Sequence, residues 1–300
     1  LIQKNAARFG RSYFGRITRI DAGAKSLELD RPVLHDFYAD EDPELRRCAF
    51  VQQVGLEKLT ITSTSEKVDL GPVKFTNVLN GWMRDVILDK SKDWPYKLDG
   101  SSHIEIRDCE FNGTAANIGK GGDAYLTVSG WYGGSYNLMD GCVARDLRHM
   151  AIYQWGNGSV IRDSTFEGKT VQSPQLHGYL PHENLLETSI FTCTGGATDR
   201  AYSVDNNASM LHGAEGPRMV VYNNKHTGGR GYGYLSYVEG HILAYNTFSN
   251  QTHFVNPGIW ATNKAFDTII RGNSFELDPS MPLIDLCDLT SVGWEVYDNQ

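Results

Sequence analysis

The sequence predicts an all-β chain wound as a right-handed parallel β-helix, a solenoid whose long loops form a cleft. Three observations predict it. One short pattern recurs along the chain from residue 106 onward, its copies are spaced by a near-constant minimum, and one of its positions is always small or an amide.

The pattern is an aliphatic lead residue, two mostly polar residues, a small or amide residue, one more residue, then often Phe. It reads Ile106-Arg-Asp-Cys-Glu-Phe111, Ile161-Arg-Asp-Ser-Thr-Phe166 and Leu186-Glu-Thr-Ser-Ile-Phe191. It returns as Val221-Tyr-Asn-Asn-Lys-His226, Leu243-Ala-Tyr-Asn-Thr-Phe248 and Ile270-Arg-Gly-Asn-Ser-Phe275, with weaker copies led by Met139 and Val296. Subtracting successive lead numbers gives steps of 33, 22, 25, 35, 22, 27 and 26. A solenoid turn has a fixed circumference, and surplus residues leave it as loops. At least eight turns are placed this way.

The fourth position reads Cys109, Cys142, Ser164, Ser189, Asn224, Asn246, Asn273 and Asn299. Turns stack about 4.8 Å apart, so inward side chains there can bond one another and the turn backbones. Short alternating runs bounded by Gly, Asn or Pro form a second strand family. They are Tyr96-Lys-Leu-Asp, Ala124-Tyr-Leu-Thr-Val, Ala151-Ile-Tyr-Gln-Trp, Gly233-Tyr-Leu-Ser-Tyr, Gly258-Ile-Trp-Ala-Thr and Leu283-Ile-Asp-Leu. Residues 1–53 read as an N-terminal segment holding a β-hairpin, with strands near Ile17 and Leu27 around the turn Asp21-Ala-Gly-Ala-Lys. Residues 54–300 read as the β-helix, the catalytic unit.

Composition narrows the function classes. The 300 residues carry a formal net charge of −8, which disfavours a nucleic-acid backbone as partner. No apolar run reaches the roughly 18–20 residues that span a bilayer. Five widely spaced cysteines suggest buried thiols, not a disulfide framework or a zinc site. The chain has no initiator Met and no charged-then-apolar leader, and its last pattern copy breaks off at Gln300. Further residues are therefore expected at both ends.

From residue 54 onward the chain resembles the pectate-lyase-like family of parallel β-helix proteins. The likeness rests on the repeat. It rests also on Arg148-His-Met-Ala-Ile-Tyr-Gln-Trp155, Gln175-Leu-His-Gly178 with Glu183-Asn-Leu-Leu-Glu187, and Leu211-His-Gly-Ala-Glu-Gly-Pro-Arg218, stretches similar to those of uncharacterised bacterial β-helix proteins. The resemblance implies polysaccharide chemistry, by lyase or hydrolase. Neither the paired Asp of polygalacturonase-like hydrolases nor the multi-Asp calcium cluster of pectate lyases is evident. No cofactor is expected, and calcium has no clear motif to hold it.

A β-helix lines up equivalent outward residues of successive turns. His177 and His212 each lie nine residues before a lead residue, both in Leu-His-Gly. Lys97 also lies nine before its lead, and Gln154 seven before its own. These four are the expected catalytic line. A uronate lyase needs a base for the C5 proton, an acid for the leaving oxygen and a cation for the carboxylate. His177 or His212 suits the base; Lys97, Arg218 or Lys225 suits the cation; Tyr125 or Tyr153 suits the donor. Trp131, Tyr132, Trp155 and Tyr234 are candidate sugar platforms. A metal would need a third ligand beside the two histidines, with Asp205 and Glu215 as candidates.

The leading expectation is a lyase cleaving an acidic, alginate- or pectin-like polysaccharide by β-elimination, a monomer working outside the cell, in the periplasm or at the cell surface. A glycoside hydrolase is the alternative, with two carboxylates from Asp123, Glu183, Asp205 and Glu215 set about 5 Å or 6.5–9.5 Å apart. A non-catalytic glycan-binding or adhesin β-helix is the third reading, disfavoured by the two oversized turns.

Overall fold

The computed structural model describes residues 2–4, 12–33, 43–45, 47–63, 71–91, 94–114, 125–127, 134–147, 149–153, 156–168, 175–176, 181–194, 203–204, 216–228, 233–236, 239–249, 259–262, 267–276, 285–286 and 293–300. Of these, residues 2–4, 12, 43, 114, 125, 127, 149–152, 175–176, 203–204, 233–236, 259–262 and 285–286 are described by backbone alone.

The chain is a parallel β-solenoid. Its main ladder stacks the lead residues in the order Leu56, Met83, Ile106, Met139, Ile161, Leu186, Val221, Leu243, Ile270 and Val296. Eight of these were expected from the repeat. Leu56 and Met83 extend it toward the N-terminus, where the fourth position holds Leu59 and Val86 and the pattern is unreadable. From Met83 to Ile270 the leads are buried. Their neighbours on either side point outward, as the period of two requires.

Two residues past each lead the chain turns a sharp corner. Lys58, Asp85, Asp108, Gly141, Asp163, Thr188, Asn223, Tyr245, Gly272 and Asp298 all take positive φ there. A second corner falls three residues before the lead, at Gln53, Asn80, His103, Tyr136, Gly158, Glu183, Arg218, Gly240, Asp267 and Gly293. Left-handed backbone is cheap for Gly and tolerable for Asn and Asp. The Asp, Asn and Gly content of the repeat thus builds corners.

The expected inward line exists, from Cys109 through Asn273 buried. Asn224 Nδ2 donates to Asn246 Oδ1 at 3.1 Å, Asn246 to Asn273 at 3.0 Å, and Asn273 to Asn299 at 2.9 Å. The second amide hydrogen of each goes to a lead carbonyl of the preceding turn, at Leu186, Val221 and Leu243. Cys109 and Cys142 play the same part, their thiols donating to Met83 and Ile106 carbonyls. Ser164 and Ser189 accept a backbone N–H from the turn before. Buried polar groups are thereby satisfied along the axis.

The Phe position forms an aromatic column. Phe166, Phe191, His226, Phe248 and Phe275 stack with centroids 4.7–5.0 Å apart. The centroid spacing is that of the turns, so the column follows directly from the repeat.

A second parallel sheet runs Tyr125–Thr127, His149–Tyr153, Gln175–Leu176, Ser203–Val204, Gly233–Ser236, Ile259–Thr262 and Asp285–Leu286. Five of its seven strands were expected; Gln175–Leu176 and Ser203–Val204 are too short to show alternation. Nearer the N-terminus, Tyr96–Asp99 pairs with Val73–Thr76. Residues Ile17–Asp21 and Ser26–Leu29 form the expected antiparallel hairpin.

Candidate functional site

Strand alternation sets the outward face of the Val73–Thr76 and Tyr96–Asp99 pair. Val73, Phe75, Tyr96 and Leu98 point into the core; Lys74, Thr76, Lys97 and Asp99 point out. Lys97 stands in register with Lys74. Lys74 is ion-paired to Asp99. Lys97 Nζ sits 5.0 Å from the centroid of the Trp94 ring, a cation–π contact. Among the described residues Lys97 is in no ion pair. A half-exposed ammonium with no carboxylate neutralising it is suited to an anionic ligand.

The other expected site residues divide. Gln154, His177, His212, Trp131, Tyr132 and Trp155 lie outside the described residues, as do Asp123, Asp205 and Glu215. Tyr125 and Tyr234 are strand residues of the seven-stranded sheet, Tyr125 paired with His149 and Tyr234 with Ser203 and Trp260.

Three expectations need correction. Tyr153 is 2 % exposed, and its hydroxyl donates to the Leu185 carbonyl at 2.7 Å. It points inward because alternation along its strand turns it to the core, and it cannot serve as an exposed proton donor. Lys225 belongs to the main ladder, paired with Ile190 and Thr247, and so stands on another face from Lys97. The strand stacked on Leu176 is Ser203–Val204, with Leu176 opposite Val204. Counting back from the lead had set Leu211-His212 there. The count failed because the surplus residues of that long turn follow the strand instead of preceding it.

Arg218 lies at a corner, where its guanidinium donates to Glu183 of the preceding turn. Its charge is already engaged, and the same ion pair occupies the Glu183 carboxylate that the hydrolase alternative had counted on. Other histidines are structural: His226 stacks between Phe191 and Phe248, and His241 is buried with Nε2 2.9 Å from the Gly216 carbonyl. Desolvation pushes His241 down to about 4.

A constellation that sequence reasoning missed lies at the same corner line. The Arg31 guanidinium donates to His103 Nε2 at 3.3 Å and covers the Tyr136 ring at 4.3 Å. His103 Nδ1 is 3.1 Å from Ser102 Oγ, and that hydroxyl donates to the Ser135 carbonyl at 2.7 Å. With Nε2 accepting and Ser102 Oγ committed as donor, the network assigns the proton to Nδ1. Burial, then Arg31, holds His103 below the ordinary imidazole value. Tyr13 donates to the Arg31 carbonyl at 3.0 Å, and burial pushes its own hydroxyl up to about 12. Tyr, His and Arg are the types a lyase uses, yet here they saturate one another. The cluster is a clasp that fastens residues 13–31 to the solenoid. Arg31 and His103 are 72 residues apart, and no local signal joins them.

Among the described residues no group of three or more His, Cys, Asp or Glu could hold a metal ion. No helix is long and apolar enough to cross a membrane.

No family model matches the chain, and no curated protein matches it. Among solved structures, the chain is similar to an alginate lyase from Paenibacillus sp. str. FPU-7, with a TM-score of 0.52 at 11 % identity over 81 % of this chain and 95 % of that one. HetL, a pentapeptide repeat protein involved in heterocyst differentiation regulation from Nostoc sp. strain PCC 7120, aligns over 82 % of this chain and 87 % of its own at 8 % identity. Its TM-score of 0.20 is too low to bear on the architecture. The likeness to the alginate lyase is one of fold: this chain is a parallel β-solenoid built like that enzyme.

Proposed function

We propose that the protein is a polysaccharide lyase that cleaves an acidic, uronate-containing polysaccharide, alginate- or pectin-like, outside the cytoplasm. The observation that carries the reading is the outward Lys97, in no ion pair among the described residues and braced by Trp94, on a β-helix whose fold is shared with an alginate lyase. Fold alone does not give function, so the chemistry must come from the line itself.

Lys97 would neutralise the substrate carboxylate as negative charge builds on C5. A base takes the C5 proton, the C4–O bond breaks as the C4=C5 double bond forms, and the leaving oxygen takes a proton from an acid. His177 is the proposed base and Tyr125 the proposed acid, with Gln154 binding the carboxylate.

Incubation with alginate, polygalacturonate and neutral β-glucan tests this. Growth of ultraviolet absorbance from unsaturated uronate ends is expected with an acidic polymer. His177→Ala should abolish it, and Lys97→Ala should lower kcat/KM by about a hundredfold. Reducing sugar released from neutral polymers with no absorbance on any uronate would refute the reading in favour of a hydrolase.

A further inference from the structure

The main ladder carries an aromatic surface away from the sheet that holds Lys97. Tyr222, Ala244, Arg271 and Tyr297 are successive register partners, each one residue past its lead and facing outward. Tyr245 stands beside Ala244, at the corner. Tyr222, Tyr245 and Tyr297 are 40 %, 49 % and 39 % exposed, whereas Ala244 beneath them is buried. The rings of Tyr222 and Tyr245 meet edge to face at 5.7 Å. Arg271 donates to the Tyr297 hydroxyl at 3.3 Å and lies 5.6 Å from the Tyr245 centroid.

Two features set this patch apart from ordinary surface. Tyr245 occupies a left-handed corner, φ 59°, on a line held mostly by Asp, Asn and Gly. A bulky residue in that region is strained, and strain kept at an exposed position points to use. The next turn has Gly272 on the same line, where an added Cβ would lie 2.6 Å from the Tyr245 ring. The ring therefore lies against glycine backbone. The Tyr136 ring lies in the same way against Gly158 and carries Arg31 over its face. The Tyr245 ring is instead half exposed.

The second feature is charge. Arg84, Arg107 and Arg162, on the same outward line, are all ion-paired to carboxylates. Among the described residues Arg271 is in no ion pair, its one hydrogen bond going to a phenol. A planar cation edged by tyrosines matches a sugar ring bearing a carboxylate: the C–H face packs on an aromatic ring and the carboxylate takes the guanidinium fork. Four stacked turns span about 14 Å, enough for a few linked sugars.

We propose that Tyr222, Tyr245, Arg271 and Tyr297 form a second glycan-binding platform, distinct from the Lys97 face, that holds an acidic polysaccharide chain while another stretch is processed. This rests on the acidic-polysaccharide reading above. The test is native affinity electrophoresis of the full chain through alginate, polygalacturonate or neutral β-glucan, comparing wild type with Tyr245→Asn/Arg271→Gln. Asn suits the corner, so the double variant should keep the fold, checked by circular dichroism. The expected result is salt-sensitive retardation of wild type by an acidic polymer and about tenfold weaker affinity in the variant. Equal retardation of both proteins overturns the platform, as does stronger retention by neutral glucan. A shift in oligomeric state with unchanged polymer affinity overturns it in favour of a second copy of the chain. Unsaturated-end release by wild type is scored separately. Cleavage without loss of affinity in the variant sinks the platform alone. Loss of affinity without cleavage sinks the lyase alone.

Discussion

Asn246 is the central rung of the inward amide ladder, and replacing it measures what that ladder is worth. Its Oδ1 accepts from the Asn224 backbone N–H at 2.9 Å and from Asn224 Nδ2 at 3.1 Å. Its Nδ2 donates to the Val221 carbonyl at 2.9 Å and to Asn273 Oδ1 at 3.0 Å. In Asn246→Ala the Asn224 backbone N–H loses its acceptor in a buried site. An orphaned buried donor costs about 1–3 kcal/mol, and the vacated volume adds roughly 1 kcal/mol. The expected loss is therefore about 2–4 kcal/mol. Asn246→Ser is the control. Ser164 and Ser189 already occupy this line, their hydroxyls accepting the N–H of the preceding turn at 3.1 and 3.2 Å. A serine at 246 should restore that acceptor and recover about half the loss. Urea midpoints at unchanged slope would give the difference, and hydrogen exchange at the Asn224 amide would localise it. Equal destabilisation by Ala and Ser, or an Ala variant within about 0.5 kcal/mol of wild type, would refute the reasoning.

Other outcomes follow from single sites. His241 is buried neutral at about 4, against 6.5 for the free group. The unfolded chain thus binds its proton more readily, and stability from this site is intact above pH 6.5 and falls toward pH 4. Between pH 7 and pH 5 the loss is about 2 kcal/mol, read from urea midpoints across that range; His241→Leu should flatten the dependence, and an unchanged slope would count against it. Gly272→Ala and Gly113→Ala both force alanine into positive φ, 61° and 63°, at about 1 kcal/mol each. At Gly272 the added methyl also meets the Tyr245 ring at 2.6 Å, against a nearest contact of 4.0 Å at Gly113. Thermal melts should therefore show Gly272→Ala the more destabilising by about 1–2 kcal/mol.

The main ladder was legible because stacking makes the environments of equivalent residues alike. Ile106, Ile161 and Ile270 meet the same core, Asn246 and Asn273 make the same four side-chain bonds and Asn224 three of them, so selection of residue type repeats with the turn. Cys109 and Cys142 could be read into that line because a thiol can donate to the same carbonyls. The corner three residues before the lead was not legible. It admits His103, Tyr136, Glu183 and Arg218 alike, since only the backbone angle is common and the side chains face different surroundings.

By itself, then, the sequence determined the solenoid, its inward amide line and the outward direction of Lys97, all consequences of period and alternation. Only the tertiary structure decided which outward residues are already spoken for. Arg218 is held by Glu183 and His103 by Arg31, Tyr153 turns inward to Leu185, and among the described residues Lys97 and Arg271 are in no ion pair. The reason is that surplus residues can leave a turn on either side of a strand. Spacing in the chain therefore sets the number of turns, whereas contact between turns sets which side chains meet, as the pairing of Leu176 with Val204 makes plain.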